Sequence, residues 1–363
     1  MGMAVNGQMK ILFLPRYGKS GPSSRYRFYQ YFDIIELHNI KFRVSPFFTG
    51  KYIEQFYSSG SKSFLNVIFS YLRRLIVLFT IPGYDQVVIE YELLPYFPAV
   101  FERLLKLLKI NYIVDYDDAV YLKYQENKNW LVRVIFPGKI EKVIQYAGNV
   151  ITGNKYLYEY AKKFNDNVHN VPTVVSRFKF DRVPAPEKKD RFILGWNGSP
   201  SSSKYLIPFS GLFRALDSNG IQINLIGFDE KLKYHFNGID INWIEWSEDS
   251  EISEIKKFSV GIMPLEDDLW SQSKCGFKLI QYMACSLPVI ASPVGINREM
   301  VDNAVTGFLA SDFDEWMNAV SYLLRNPEEA MLMGQRGYTK FREKYSLESV
   351  TEQYLNIIKS SLH

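Results

Sequence analysis

The chain has only two cysteines, Cys275 and Cys285, among 363 residues. A pair on one short segment builds no disulfide framework and no cysteine-based zinc site, so two reduced thiols are expected. Histidine is nearly as scarce. His38, His169, His235 and His363 sit in no H-E-x-x-H or G-x-S-x-G frame, which leaves nucleophilic hydrolase chemistry without support. Neither sign of charge dominates: 43 Lys and Arg stand against 39 Asp and Glu, a net +4. No Lys/Arg-dense arm or nucleic-acid motif accompanies that small excess, so nucleic acid is not an expected partner. Residues 1–8 contain no apolar core of the kind a secretory signal needs. The longest apolar stretch, residues 64–80, is interrupted by Arg73 and Arg74. It falls short of the about 20 apolar residues a spanning helix requires. The dinucleotide fingerprint G-x-G-x-x-G is also missing, which weakens a dehydrogenase reading.

What is present is a folded α/β pattern. The length exceeds what one hydrophobic core serves, so two domains are expected. Short Val- and Ile-rich runs at residues 10–14, 86–90, 111–115 and 149–152 read as buried strands. Amphipathic stretches such as residues 24–37, 99–109 and 140–147 separate them, as in a parallel sheet with crossover helices. Residues 182–190, RVPAPEKKD, combine two prolines with a charge run and mark a linker. The alternation then restarts, with strands expected at residues 192–196, 222–227, 239–246, 260–264 and 288–292. Residues 346–360 read as a terminal helix with Ser346 as its N-cap. The division expected is residues 1–183, residues 184–345, and a terminal helix at 346–363. In open parallel sheets, ligands sit beyond the carboxyl ends of the strands. The loops after strands are therefore the place to look for chemistry.

Four such loops carry it. After the first strand, PRYGKSGPSSRYR places Gly18 and Gly21 where the backbone must bend. Ser23 or Ser24 is a helix cap there, and Arg25 and Arg27 supply positive charge. After residues 111–115, Asp115, Asp117 and Asp118 put three carboxylates at one strand end, a costly arrangement for pure structure. Direct polar contact to a sugar fits this string better than a metal, because no further ligand cluster is evident. After residues 192–196, Gly198, Ser199 and Lys204 offer backbone N–H groups, hydroxyls and an ammonium to a phosphate at a helix start. Finally Lys274 and Lys278, four apart, share a face of a helix that also carries Gln281. Cations at a helix N-terminus oppose the helix dipole, and a bound anion would remove the conflict.

KCGFKLIQYMACSLPVIASPVGINREMV, residues 274–301, resembles the donor-binding region of glycosyltransferase family 4. DYDDAVYL, GPSSRYRFYQY and GWNGSPSSSKYL resemble a subgroup of that family associated with polysaccharide and lipopolysaccharide assembly. The resemblance runs from Met9 to the final helix. It implies a bacterial enzyme with the GT-B fold: two Rossmann-like domains, a cleft between them, and a C-terminal helix crossing back to the first domain. It implies that the first domain binds the acceptor and the second a nucleoside-diphosphate sugar, with retention of anomeric configuration and no metal or other cofactor. A hexosyl- or N-acetylhexosaminyl-transferase is expected. Its acceptor would be a lipid-linked oligosaccharide, capsule or O-antigen, and its place the cytoplasm, peripheral at the inner face of the plasma membrane. Three positions depart from the pattern. Gln281 and Ser273 stand where the family has a Glu pair. Gly198 or Ser199 stands where an Arg precedes the phosphate-binding Lys, and Asp117 replaces a His.

The expected roles follow from this. Gly21, Arg25, Gly198, Ser199, Lys204, Lys274, Lys278 and Gln281 serve the donor and its phosphates, while Asp117, Asp118 and Lys278 act in transfer. The rival readings are a member of the same fold that holds nucleotide sugar or glycan without transfer, and a metal-dependent transferase using Asp115 and Asp117.

Overall fold

The structure is a computed structural model that describes residues 8–50, 64–184, 186 and 191–360. Most of the expected linker at residues 182–190 and the first seven residues lie outside the described residues. The chain divides into two compact units: Met1–Thr173 with Val350–His363, and Val174–Ser349.

The first unit is built on six parallel strands. They are β1 (Lys10–Leu14), β2 (Lys41–Val44), β3 (Gln86–Glu90), β4 (Tyr112–Tyr116), β5 (Asn149–Thr152) and β6 (Val168–Asn170), in the order β2-β1-β3-β4-β5-β6. β3 and β4 are buried throughout, as a parallel strand covered by helices on both faces requires. The chain reverses its direction of travel across the sheet between β1 and β3, the switch point at which such sheets bind ligands.

The second unit repeats the plan with β7 (Ile193–Asn197), β8 (Gln222–Ile226), β9 (Ile241–Ile244), β10 (Val260–Met263), β11 (Val289–Ala291) and β12 (Gly307–Leu309). The order is β12-β11-β10-β7-β8-β9, again all parallel. This is the Rossmann order, with its switch point between β7 and β10. Leu194, Trp196, Ile223, Leu225, Val260 and Ile262 form the centre of its core.

Several local expectations need correction. Residues 24–37 do not form one helix. Pro22 begins a helix that ends at Arg27, a 3-10 turn spans Tyr29–Tyr31, and a second helix covers Phe32–Leu37. Neither Ser23 nor Ser24 caps it. The cap is Gly21, and Ser24 is buried inside the first turn. Ser346 does act as a cap, its hydroxyl accepting from the Ser349 amide at 3.1 Å. The helix Leu347–Lys359 follows, and its residues from Val350 onward belong to the first unit. There Tyr354 stacks on Tyr31 at 4.1 Å between ring centres.

The apolar stretch becomes the helix Phe64–Leu78, but with its arginines turned inward. Arg73 donates to the carbonyls of Pro46 and Phe47, and Arg74, fully buried, to those of Pro15 and Ser45. Phe64, Leu65, Phe69, Leu72, Ile76 and Phe79 are left exposed. No helix among the described residues is long and apolar enough to cross a membrane.

Candidate functional site

In the second unit, the loops after β7 and β10 flank the switch point. β7 ends at Asn197, and Ser199 opens a 3-10 helix, Pro200–Phe209. The Ser202 hydroxyl closes this turn, accepting from the Ser199 amide at 3.1 Å and donating to its carbonyl at 2.8 Å. The Ser199 N–H is therefore spent internally rather than presented to a ligand. Lys204 is exposed, with its ammonium 4.9 Å from the centre of the Tyr205 ring.

After β10, Asp268 caps a short helix, Leu269–Gln272, by accepting from the Ser271 amide. The helix Phe277–Ala284 begins later than the lysine spacing suggests. Lys274 precedes it, and only Lys278 lies in its first turn. Gly276 caps this helix at φ +67°, a conformation glycine adopts without strain. A side chain there would also strike the Met300 sulfur at 2.2 Å.

Lys274 still comes to the ring that holds Lys204, and its charge reaches Lys278. The Lys274 ammonium lies 5.5 Å from the same Tyr205 ring, and Lys278 lies 5.3 Å from the ring of Trp196. Burial, and then the charge of Lys274, pull the Lys278 pKa down to about 7. No carboxylate is in ion-pair contact with Lys204 or Lys278 among the described residues. Aromatic faces hold Lys204 and Lys278 in place without neutralising them. An arrangement of this kind is unfavourable when empty and favourable around a polyanion.

Gln281, on the same helix, is buried. Its side-chain oxygen accepts from Asn197 Nδ2 at 2.9 Å, and its amide nitrogen has no partner among the described residues. Gly198 sits against the Trp196 ring, where a β-carbon would come within 2.3 Å of it.

The first unit carries the other sequence candidates around its own switch point. Gly21 caps the helix Pro22–Arg27. Arg25 is buried and donates to the carbonyls of Lys19 and Ser20, holding the preceding loop closed. Arg27 does not add free charge to that loop. It grips both oxygens of Asp115 at 2.8 Å and donates to the Val171 carbonyl. Both Asp115 oxygens thus accept from one guanidinium. Asp117 accepts from the Tyr91 hydroxyl, and Tyr91 holds φ at +65°, a strained position for a tyrosine. Asp118 is half-buried, its carbonyl accepting from the Val120 amide.

Sequence reading missed the carboxylates beneath this loop. Glu90 ends β3 and is buried. One of its oxygens accepts from the Arg16 amide at 2.6 Å and the Ser24 hydroxyl at 2.5 Å. The other has no partner among the described residues. Burial, then Asp117, push the Glu90 pKa up to about 8. Glu92 bonds Arg16, Lys139 and Tyr124. Burial works against its charge, but Lys139 and Arg16 outweigh it and hold the carboxyl below the usual value. The only sequence signal was a pair of glutamates at the end of a hydrophobic run.

Residues 209–326 match the family described as "Glycosyl transferases group 1". A probable sucrose-phosphate synthase of Thermosipho melanesiensis is 34% identical over 84 residues, which are 23% of this chain and 19% of that protein. The human alpha-1,3/1,6-mannosyltransferase ALG2 is 34% identical over 103 residues, 28% of this chain and 21% of that one. The chain thus spans about a fifth of the length of the curated relatives it matches. Among solved structures, sucrose-phosphate synthase from Thermosynechococcus elongatus superposes with a TM-score of 0.70 at 15% identity, covering 97% of this chain and 99% of that one. Anabaena Alr3699/HepE in complex with UDP gives 0.66 at 14% identity, covering 97% and 100%. The chain therefore has the GT-B fold, and the segment similar to the group 1 glycosyl transferases is the one that carries Lys274, Lys278 and Gln281.

Proposed function

We propose that the protein is a retaining glycosyltransferase of family 4 that moves a hexosyl or N-acetylhexosaminyl group from a nucleoside-diphosphate sugar to a hydroxyl of a growing bacterial surface glycan. The observation that carries this reading is the approach of Lys204 and Lys274 to one ring, with Lys278 within reach of the Lys274 charge, beside the switch point of a Rossmann-order sheet. The donor diphosphate lies among the three ammonium groups. When the bond from the anomeric carbon to the diphosphate breaks, negative charge builds on the leaving group, and the lysines stabilise it without a metal ion. The anomeric carbon takes on oxocarbenium character. The acceptor oxygen bonds to it from the face the diphosphate leaves, and its proton passes to a diphosphate oxygen. The first unit takes the acceptor through the loop at Gly21 and Arg25 and through Asp117 and Asp118. UDP occupies the structurally similar Anabaena protein, which supports a nucleoside diphosphate as donor handle.

A lipid-linked acceptor would bring the enzyme to the inner face of the plasma membrane. The exposed row from Phe64 to Phe79 supports this location, because a helix with one apolar face lies in a bilayer surface.

Gln281 favours a second reading. It stands where the resemblance has a glutamate, and it is buried and bonded to Asn197, as in a protein that binds a sugar nucleotide without transferring it. A thermal-shift screen over UDP-, GDP- and ADP-sugars, followed by assay of nucleoside diphosphate release with glycolipid acceptor, tests both. Stabilisation with release is the expected result, and stabilisation without release supports the binding protein. No stabilisation by any of them contradicts both.

A further inference from the structure

The first unit buries a cation with no carboxylate against it. Arg74, on the helix Phe64–Leu78, is 1% exposed. Its Nη2 donates to the carbonyls of Pro15 at 3.2 Å and Ser45 at 3.0 Å. Its Nε and Nη1 are buried and have no partner among the described residues. The buried ion pairs among those residues join Arg16 to Glu92, Arg27 to Asp115 and Lys139 to Glu92, and none includes Arg74. The Phe47 ring centre lies 5.5 Å from its Cζ, an attraction that does not cancel the charge. Burial, then Arg73 and Arg16, pull the Arg74 pKa down to about 9, which leaves the guanidinium charged at pH 7.

Two neighbours are short of partners in the same way. Arg16 follows Pro15 in the chain, and its Nε is buried and unbonded among the described residues. The Arg16 amide and the Ser24 hydroxyl both donate to Glu90 Oε2. Glu90 Oε1 is buried and has no partner among the described residues. With its pKa at about 8, Glu90 holds a proton at pH 7. Oε2 already accepts twice, so the proton belongs on Oε1, and that oxygen is then a donor. The unmatched groups are therefore all donors: N–H groups of Arg74 and Arg16 and the O–H of Glu90. Buried polar atoms in a native fold find partners, and a buried charge needs a counter-charge. Donors around an uncompensated positive charge select an anion. A cation would be repelled, and a water brings no charge to set against the guanidinium.

We propose that the first unit binds one small monovalent anion, of halide size, among the guanidinium groups of Arg74 and Arg16 and the carboxyl group of Glu90. Arg74 is enclosed, so a sugar or a nucleotide is too large to reach its unmatched nitrogens. Arg74 already joins the Pro15 carbonyl, after β1, to the Ser45 carbonyl, after β2. An anion on its other nitrogens fixes the guanidinium and, through it, both loops. The site belongs to the first unit and the diphosphate lysines to the second, so it stands independently of the donor-site reading.

The test uses bromide as the probe. Crystals of the wild type are soaked in sodium bromide and the anomalous scattering of bromine is measured. A bromide within hydrogen-bond distance of Arg74 Nε or Nη1 is expected, and a map without one there overturns the proposal. In parallel, bromide replaces gluconate at constant ionic strength while the melting temperatures of the wild type and of Arg74→Met are followed. An ion that binds only the native state stabilises it by mass action. The wild type should therefore rise saturably, by roughly 2–4 °C at a bromide concentration about five times the dissociation constant. Arg74→Met should not respond. A wild type that does not respond, or a variant that responds equally, also overturns the proposal. The diffraction measurement on the wild type decides the matter even where Arg74→Met fails to fold.

Discussion

Lys204 and Lys274 come from segments after different strands, yet their ammonium groups approach one ring, that of Tyr205, at 4.9 and 5.5 Å. Lys278 lies close enough to Lys274 to feel its charge.

Lys278→Ala is expected to lower turnover by far more than tenfold while the melting temperature stays near that of the wild type. Initial rates with donor and acceptor, alongside a circular dichroism melt, check this. Near-normal turnover would remove Lys278 from the leaving-group role.

Binding of a diphosphate should take up a proton. Free Lys278 titrates at about 7, and a nearby polyanion favours its charged form, so its pKa rises in the complex. Affinity then falls as pH rises from 7 to 9, where the free ammonium has lost its proton. Calorimetry at pH 8 in two buffers of different ionisation enthalpy measures the uptake. Zero uptake, or the same uptake in Lys278→Met, contradicts this.

Glu90 makes the opposite kind of contribution, to stability. Its folded-state pKa of about 8 lies above the ordinary 4.5. Between those values the native state binds more protons than the unfolded chain, so this group's contribution to stability declines as pH rises and levels off above 8. Glu90→Gln removes the decline. The melting temperature of the variant minus that of the wild type should grow from pH 5 to pH 8. A constant difference would show that Glu90 does not titrate in this range.

Asp115 neutralises a buried guanidinium. Asp115→Ala leaves Arg27 uncompensated, at a cost of about 3–5 kcal/mol, read as a drop in the urea midpoint. If Asp115 instead served as a metal ligand, EDTA would abolish wild-type activity. Full activity in EDTA is expected.

Phe69→Ser with Ile76→Ser should reduce cosedimentation with anionic phospholipid vesicles and leave the melting temperature nearly unchanged, because both side chains are exposed. Unchanged vesicle binding would exclude this helix as the membrane-facing element.

The inner strands were legible in the sequence and several outer ones were not, for one physical reason. β1, β3 and β5 have a neighbour on each side, and their Val- and Ile-rich runs announce them. β2, β6, β9 and β12 close the edges of their sheets, and of these β9 alone was expected. β2 alternates exposed and half-buried residues with two basic side chains, and β6 and β12 are three residues long. An edge strand pairs on one side only and needs no long apolar run. The lysines were readable as candidates from their place after strands and beside a helix start. Their meeting at Tyr205 and the capture of Ser24 by Glu90 depend on partners far apart in the chain, and no local pattern encodes those.

The most direct measurement is calorimetry of UDP, GDP and ADP in EDTA with the wild type and with Lys204→Ala/Lys274→Ala/Lys278→Ala. Tight binding by the wild type without metal, and its loss in the triple variant, are the expected results. A triple variant that binds the same diphosphate as well as the wild type, or wild type that binds only when a divalent cation is restored, would contradict a diphosphate site made of lysines.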